Sequence, residues 1–250
     1  MTRTHVRTTL EFSDTHLKLM QSSNGRTQRK LDFVEVRDIA SLSDEEISRQ
    51  LKKLMTGKRA GDKLTVVIPR REVMLRPCRV PSHNEAESRT MVEWQACQHI
   101  PYERKDVIID SYVLEKLPDG YTKVLALIVR CESIERYVSI LNEAQCPVGR
   151  VTFSTAGLMC WKLWQDKNIS PQYDHYCALI NCEEGQTEIC FCSKDKFLFS
   201  RSLAFGTRDA LNGSAQPFAD QISAAFKAFS LENREKDISE IIILSIKELE

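Results

Sequence analysis

Several kinds of protein are excluded by what this 250-residue chain lacks. It has no charge imbalance, since 35 basic residues stand against 35 acidic ones, so no global field draws it to nucleic acid or to an acidic membrane surface. Basic residues are not interleaved with aromatics as an RNA-binding sheet requires. It has no uninterrupted apolar run of the roughly eighteen residues that a membrane-spanning helix needs. The opening MTRTHVRTTLEF lacks the apolar core of a secretory signal. Nine cysteines are present, but they are odd in number and show no C-x-x-C pair; Cys97-x-His99 alone does not make a zinc site. They read as reduced thiols of a cytosolic protein, and Cys190 and Cys192 are too close along one strand to bridge each other. No Ser-His-Asp or Cys-His set stands at recognisable spacing, so no catalytic residue and no metal ligand is assigned.

What is present is a hydrophobic content of 42%, enough for a buried core, and a clear order of elements. Residues 8–36 alternate apolar and polar positions in three short runs, Thr8–Ser13, Leu17–Gln21 and Lys30–Val36, joined by polar turns: a three-strand meander. SDEEISRQLKKLMTG then predicts a helix with Ser43 and Glu46 as capping box, an Ile47/Leu51/Leu54 face and Gly57 as its stop. Its lysine-rich end, Gln50 to Arg59, reads as a solvated helix end suited to the helix dipole. KLTVVIP is a short apolar strand. Residues 72–153 then predict strand, helix, strand, strand, helix, strand. Pro77 marks the first of these strands as an edge, Asn84 and Glu87 open the first helix, and Ile134, Val138 and Leu141 form the face of the second. His99 reads as a helix-end residue. A helix near residues 154–165 carries Trp161 and Trp164.

The opening pattern then returns. CALINC, TEICFC and FLFSRSLAF form a second meander, followed by the helix PFADQISAAFKAF and the strand SEIIILS. A shift of 170 positions places Leu10 on Ile180, Phe12 on Cys182, Leu19 on Ile189 and the Asn24-Gly25 turn on Lys194-Asp195. Two copies of meander, helix and strand imply internal duplication.

Duplicated meanders with a module inserted into the first half resemble the actin-like ATPase fold, which is ribonuclease H-like in each half. The ordered series in CRVPSHNEAESRTMVEWQACQHIPYERKDVIIDSYVLE and VLALIVRCESIERYVSILNEAQCPVGRVTFSTAGL resembles the type IV pilus assembly protein PilM family, with FtsA and the cytoplasmic part of GspL as relatives. The implied fold is α/β with an α+β insertion. Residues 1–71 and 154–175 would form the first half, 72–153 the inserted β-α-β-β-α-β subdomain, and 176–250 a second half incomplete at its C-terminus.

The family's first phosphate turn resembles D-x-G-x-x-x-x-K, in which glycine lets backbone amides approach phosphate. Here the matching residues are Glu11, Phe12, Ser13, Asp14, Thr15, His16, Leu17 and Lys18; the carboxylate and the lysine persist, serine replaces glycine, and Asp14 adds negative charge. The second turn resembles D-x-G-x-x-x-T. Here it reads Asn181, Cys182, Glu183, Glu184, Gly185, Gln186 and Thr187, and only Thr187 matches outright. Two carboxylates facing a triphosphate are repulsive. A glycine pair expected after the last strand is replaced by Ser245-Ile246.

The resemblance therefore implies a degenerate nucleotide cleft, with no cofactor, on a cytoplasmic scaffold peripheral to the inner membrane in a type IV pilus or type II secretion-like platform. It also implies a bitopic, PilN-like partner whose N-terminal peptide docks in a groove between the first strands and the insertion, where Trp94, Ile100 and Tyr102 are the candidate contacts. Self-association is compatible with it. Two alternatives stay open: an active actin-like ATPase holding ATP and Mg, and the cytoplasmic part of a GspL-like protein with a transmembrane helix beyond Glu250.

Overall fold

A computed structural model describes residues 6–24, 29–56, 64–98, 100–153, 155, 176–193, 197–213, 215–233 and 237–245. The expected helix at 154–165 with Trp161 and Trp164, His99, Gly57, Gly25 and the Lys194-Asp195 turn lie outside these residues. The chain divides into two compact units, Met1–Glu72 with Arg130–Ser154, and Val73–Val129 with Thr155–Glu250.

The first unit is built on five strands: β1 (Val6–Phe12), β2 (His16–Asn24), β3 (Arg29–Asp38), β4 (Leu64–Ile68) and β8 (Val148–Phe153). Their order is β3-β2-β1-β4-β8, with β1, β4 and β8 parallel. Alternation along β1 and β2 puts Leu10, Phe12, Leu17 and Leu19 on one buried face. Helix α1 (Asp44–Met55) begins at the expected Ser43/Glu46 capping box and buries Ile47, Leu51 and Leu54. Helix α3 (Cys131–Glu143) is fastened to it: Ser48 Oγ donates to the Ile140 carbonyl at 2.9 Å, and Arg136 grips Asp44 with two nitrogens at 2.9 and 2.7 Å.

This placement of α3 and β8 differs from the expectation that both belong to the insertion. The reason is the chemistry of β4. LTVVI is buried almost throughout, and a parallel strand apolar on both faces needs neighbours on both edges. Strand β1 supplies one and β8 the other. The buried positions of α3 are accordingly Ser133, Tyr137, Ile140 and Leu141, so Ile134 and Val138 sit at the margin of its buried face.

In the second unit, β5 (Val73–Val80), β6 (Val107–Lys116) and β7 (Thr122–Arg130) form a three-stranded sheet in the order β5-β7-β6, which puts the proline-bearing β5 at an edge as expected. Helix α2 (Glu85–Cys97) covers it through Val92 and Ala96 against Val80, Val107, Val124, Ala126 and Ile128. Asn84 caps this helix by accepting from the amides of Ala86 and Glu87.

The same unit holds the second meander: β9 (Tyr176–Cys182), β10 (Thr187–Cys192), β11 (Phe197–Leu203) and β12 (Ile238–Ser245), in the order β11-β10-β9-β12. A short helix α4 (Thr207–Asn212) precedes helix α5 (Ala215–Glu232). Phe191 stacks on Phe229 at 4.3 Å between ring centroids and meets Phe226 edge-on at 5.1 Å. The duplication read from the sequence is present in the strand register. Leu10 pairs with Leu19 in the first meander, and Ile180 with Ile189 in the second, as a 170-residue shift requires.

Candidate functional site

The two hairpin turns that resemble phosphate loops close in the same way. In the first, the Ser13 amide donates to the His16 carbonyl at 2.8 Å; in the second, the Glu183 amide donates to the Gln186 carbonyl at 2.9 Å. A phosphate-binding turn works by leaving its amides pointing outward and unpartnered. Here side chains complete the closure. Ser13 Oγ accepts from the His16 amide at 2.9 Å, so the residue standing where the family has glycine occupies a donor that an anion would need. Thr15 Oγ1 lies 2.7 Å from His16 Nδ1.

The charged residues flanking this turn are also engaged. Glu11 and Lys18 are directly opposite on β1 and β2 and form an ion pair at 2.9 Å. Asp14 is ion-paired with Arg71, and the Arg71 guanidinium also reaches Glu72 at 3.4 Å. Glu72 in turn accepts from Ser133 Oγ at 2.6 Å. Asp14 thus anchors the turn to the 3-10 turn Arg70–Glu72 and to the start of α3. Beside this network Tyr137 packs on Phe12 at 5.0 Å, and burial, reinforced by the Glu72 carboxylate, pushes its phenol up to about 12. Tyr137 is therefore a neutral core residue at physiological pH.

In the second turn the Glu183 carboxylate accepts from Gln186 Nε2 at 2.8 Å and from Asn181 Nδ2 at 3.4 Å. The turn's carbonyls face the start of α4: Glu183 accepts from the Thr207 amide at 2.9 Å and Glu184 from the Arg208 amide at 3.0 Å. Gly206 makes this approach possible, because a Cβ there would lie 2.3 Å from the Glu184 carbonyl oxygen. Thr187, the residue that matches the family pattern, is fully buried and shares the core face of β10 with Ile189 and Phe191. Gly185 sits at the turn's tip and supplies no left-handed conformation. Among the described residues no group of three or more His, Cys, Asp or Glu is arranged to hold a metal.

Of the expected partner contacts, Trp94 is 66% exposed on α2 and Tyr102 39% exposed on the loop that follows. Ile100 instead packs against the core under α2. The structure adds residues that sequence reading passed over. Strand β6 is the other edge of the three-stranded sheet, and it exposes Ile108 and Tyr112, the latter 65% exposed. Their i, i+4 spacing on one face of an edge strand was the available signal, hidden because DVIIDSYVLEK alternates as any half-buried strand does. Gly206 was also missed. Its signal is Gly-x-x-Asp before a helix, and Asp209 Oδ2 does accept from the Gly206 amide at 2.9 Å.

The paired meanders and their matching registers describe a duplicated α/β protein of the actin-like ATPase fold, with each hairpin turn hydrogen-bonded within itself. A family model, type IV pilus assembly protein PilM, matches residues 10–240, and the chain belongs to that family. Among solved structures it is similar to a PilM-PilN type IV pilus biogenesis complex, at 19% identity and TM-score 0.69, covering 91% of this chain and 72% of that one. It is also similar to a Bacteroides thetaiotaomicron protein with an actin-like ATPase fold and unknown function, at 12% identity, TM-score 0.50, and 96% and 91% coverage. The cytoplasmic domain of EpsL, an inner-membrane component of the Vibrio cholerae type II secretion system, matches at 11% identity and TM-score 0.48, with 80% and 71% coverage. No curated protein matches the chain. Among the described residues no helix is long and apolar enough to cross a membrane.

Proposed function

We propose that this chain is a scaffold of a type IV pilus assembly platform, placed on the cytoplasmic side of the inner membrane by a bitopic, PilN-like partner, and that its hairpin turns maintain the fold without holding a nucleotide. The observation that carries the second half is the closure of both turns. Ser13 and Glu183, at equivalent places in the duplicated meander, take up donors of their own turns, and Glu11, Lys18 and Asp14 are each ion-paired. An incoming phosphate group would have to break these pairs at either turn, and would meet the Asp14 carboxylate at the first or those of Glu183 and Glu184 at the second. Binding of Mg by carboxylates already committed to arginine, lysine or amide partners is disfavoured for the same reason.

Family membership supports the assembly role, and the similar structure that contains PilN supports the choice of partner. The partner's N-terminal peptide docks as an extended segment, with backbone hydrogen bonds to an exposed strand edge and side chains against aromatic surface. Trp94, Tyr102 and the outer edge of β6 supply those features, and Ile100 supports them from below. Titration calorimetry with synthetic N-terminal peptides of candidate bitopic proteins tests this. One peptide is expected to bind at micromolar affinity, with a loss of roughly tenfold or more on Trp94→Ala or Tyr102→Ala, as for an exposed aromatic anchor. Absence of binding by every candidate, or full binding by both variants, would overturn the docking assignment.

A further inference from the structure

All nine cysteines read from the sequence as reduced thiols, and the assembly role uses none of them. Two have a geometry that the sequence did not reveal. Cys177 and Cys192 stand directly opposite each other on β9 and β10, with their Sγ atoms 3.3 Å apart and both residues at most 2% exposed. Because cross-strand partners hold their Cβ atoms about 4.5–5.5 Å apart, little backbone movement separates this thiol contact from the sulfur–sulfur bond length of about 2 Å.

We propose that Cys177 and Cys192 form a reversible redox pair, oxidised by peroxide to a disulfide that staples β9 to β10 across the base of the second hairpin. The hydrogen bond between the two sulfurs lowers the pKa of Cys177 and raises that of Cys192, which burial raises further; the two sulfurs are equivalent in geometry, and the reaction is written with Cys177 as the attacking thiolate. Its sulfur attacks one peroxide oxygen, the O–O bond breaks, and the departing hydroxide takes a proton and leaves as water, giving a sulfenic acid on Cys177. The Cys192 sulfur then attacks the Cys177 sulfur, the S–O bond breaks, and hydroxide leaves with the Cys192 proton as a second water. Two thiols lose two electrons and two protons, and one peroxide becomes two waters. A thiol reductant reverses the bond.

Burial sets the rate. Peroxide reaches the pair through local opening of the hairpin, so oxidation is slow in the native state. Cys190, buried on the same face of β10, is the competing thiol.

The test exposes the full-length chain to hydrogen peroxide, blocks remaining thiols and cleaves after glutamate. Glu183, Glu184 and Glu188 lie between the two cysteines, so a disulfide joins peptides that otherwise separate. The expected product is a single linked species, two hydrogens lighter, assigned by fragmentation to Cys177 and Cys192 and lost on adding dithiothreitol. It is retained in Cys190→Ser and absent in Cys177→Ser. Oxidation is expected to raise Tm by about 5 °C, the order expected from closing a short loop. Linkage through Cys190, overoxidation without linkage, or reduced thiols at both positions after a treatment that oxidises the urea-unfolded chain would overturn the proposal. If Cys177→Ser does not fold, the wild-type peptide map decides alone.

Discussion

Replacing Phe191 by alanine is expected to destabilise the second unit by about 4 kcal/mol, within the range of about 3–5 kcal/mol for deleting a fully buried aromatic ring. Phe191 has no solvent exposure. It stacks nearly parallel on Phe229, meets Phe226 edge-on and approaches Phe199 with centroids 6.0 Å apart, so one substitution removes three ring contacts as well as buried area. The surrounding positions on that face, Ile189, Ala178 and Ala225, are immobilised by the sheet and by α5 and cannot collapse into the space. Urea denaturation with a probe in the second unit checks this. The midpoint should fall while the slope stays constant, and Phe191→Leu should recover about half of the loss.

Gly206→Ala is the second large effect, and its origin is steric. The added methyl would meet the Glu184 carbonyl oxygen at 2.3 Å, the Glu184 carbonyl carbon at 2.4 Å and the Glu183 carbonyl oxygen at 2.5 Å. All three are backbone atoms, so relief requires the turn and the start of α4 to separate. That movement breaks the bonds from the Thr207 and Arg208 amides to the turn. Overpacking of about 1–3 kcal/mol and two hydrogen bonds of about 1 kcal/mol each give a cost of about 3–5 kcal/mol, or a Tm lower by about 10 °C. Gly120→Ala is the control. Gly120 has a φ of +86° but nothing within 4 Å of an added Cβ, so only a conformational cost of about 1 kcal/mol is expected there.

These two residues also mark the boundary of what the sequence discloses. Phe191 sits in TEICFC, which the sequence marks as a strand of the second meander; all six of its residues are buried, so no alternation within it singles out Phe191. The 170-residue shift that aligned Leu10 with Ile180 proved to be a true register, because hairpins are local and their turns fix the pairing. Nonlocal pairing was not legible. Strand β8 follows the insertion in sequence, yet it pairs with β4, whose matching residues lie 84 to 85 positions earlier in the chain; nothing in VGRVTF states that preference. The capping box of α1 was legible, whereas the buried face of α3 was displaced from the expected one because Tyr137, a partly polar residue, carries a core contact with Phe12.

The candidate site divides in the same way. Loss of glycine at Ser13 and Glu183 could be read directly, and it suggested a turn less able to receive phosphate. What the residues in these turns bond to could not be read. Ser13 accepting from His16, Asp14 held by Arg71, and the carbonyls of Glu183 and Glu184 received by α4 are tertiary facts that depend on where Arg71 and Gly206 arrive. Thr187 is the clearest case. It matches the family letter for letter, and it lies in the core.

The central claim is that the actin-like fold persists here without its nucleotide chemistry, and thermal unfolding of the full chain in rising Mg-ATP tests it most directly. A ligand that binds only the native state stabilises it by RT ln(1 + [L]/Kd), so a site with a Kd of about 10 µM would raise Tm by about 5–10 °C at 1 mM nucleotide. Turns closed by Ser13, Asp14, Glu183 and Gln186 predict a shift below about 1 °C, the same as with Mg and free phosphate. A saturable rise of several degrees, specific to the nucleotide and abolished by Lys18→Ala, would contradict it.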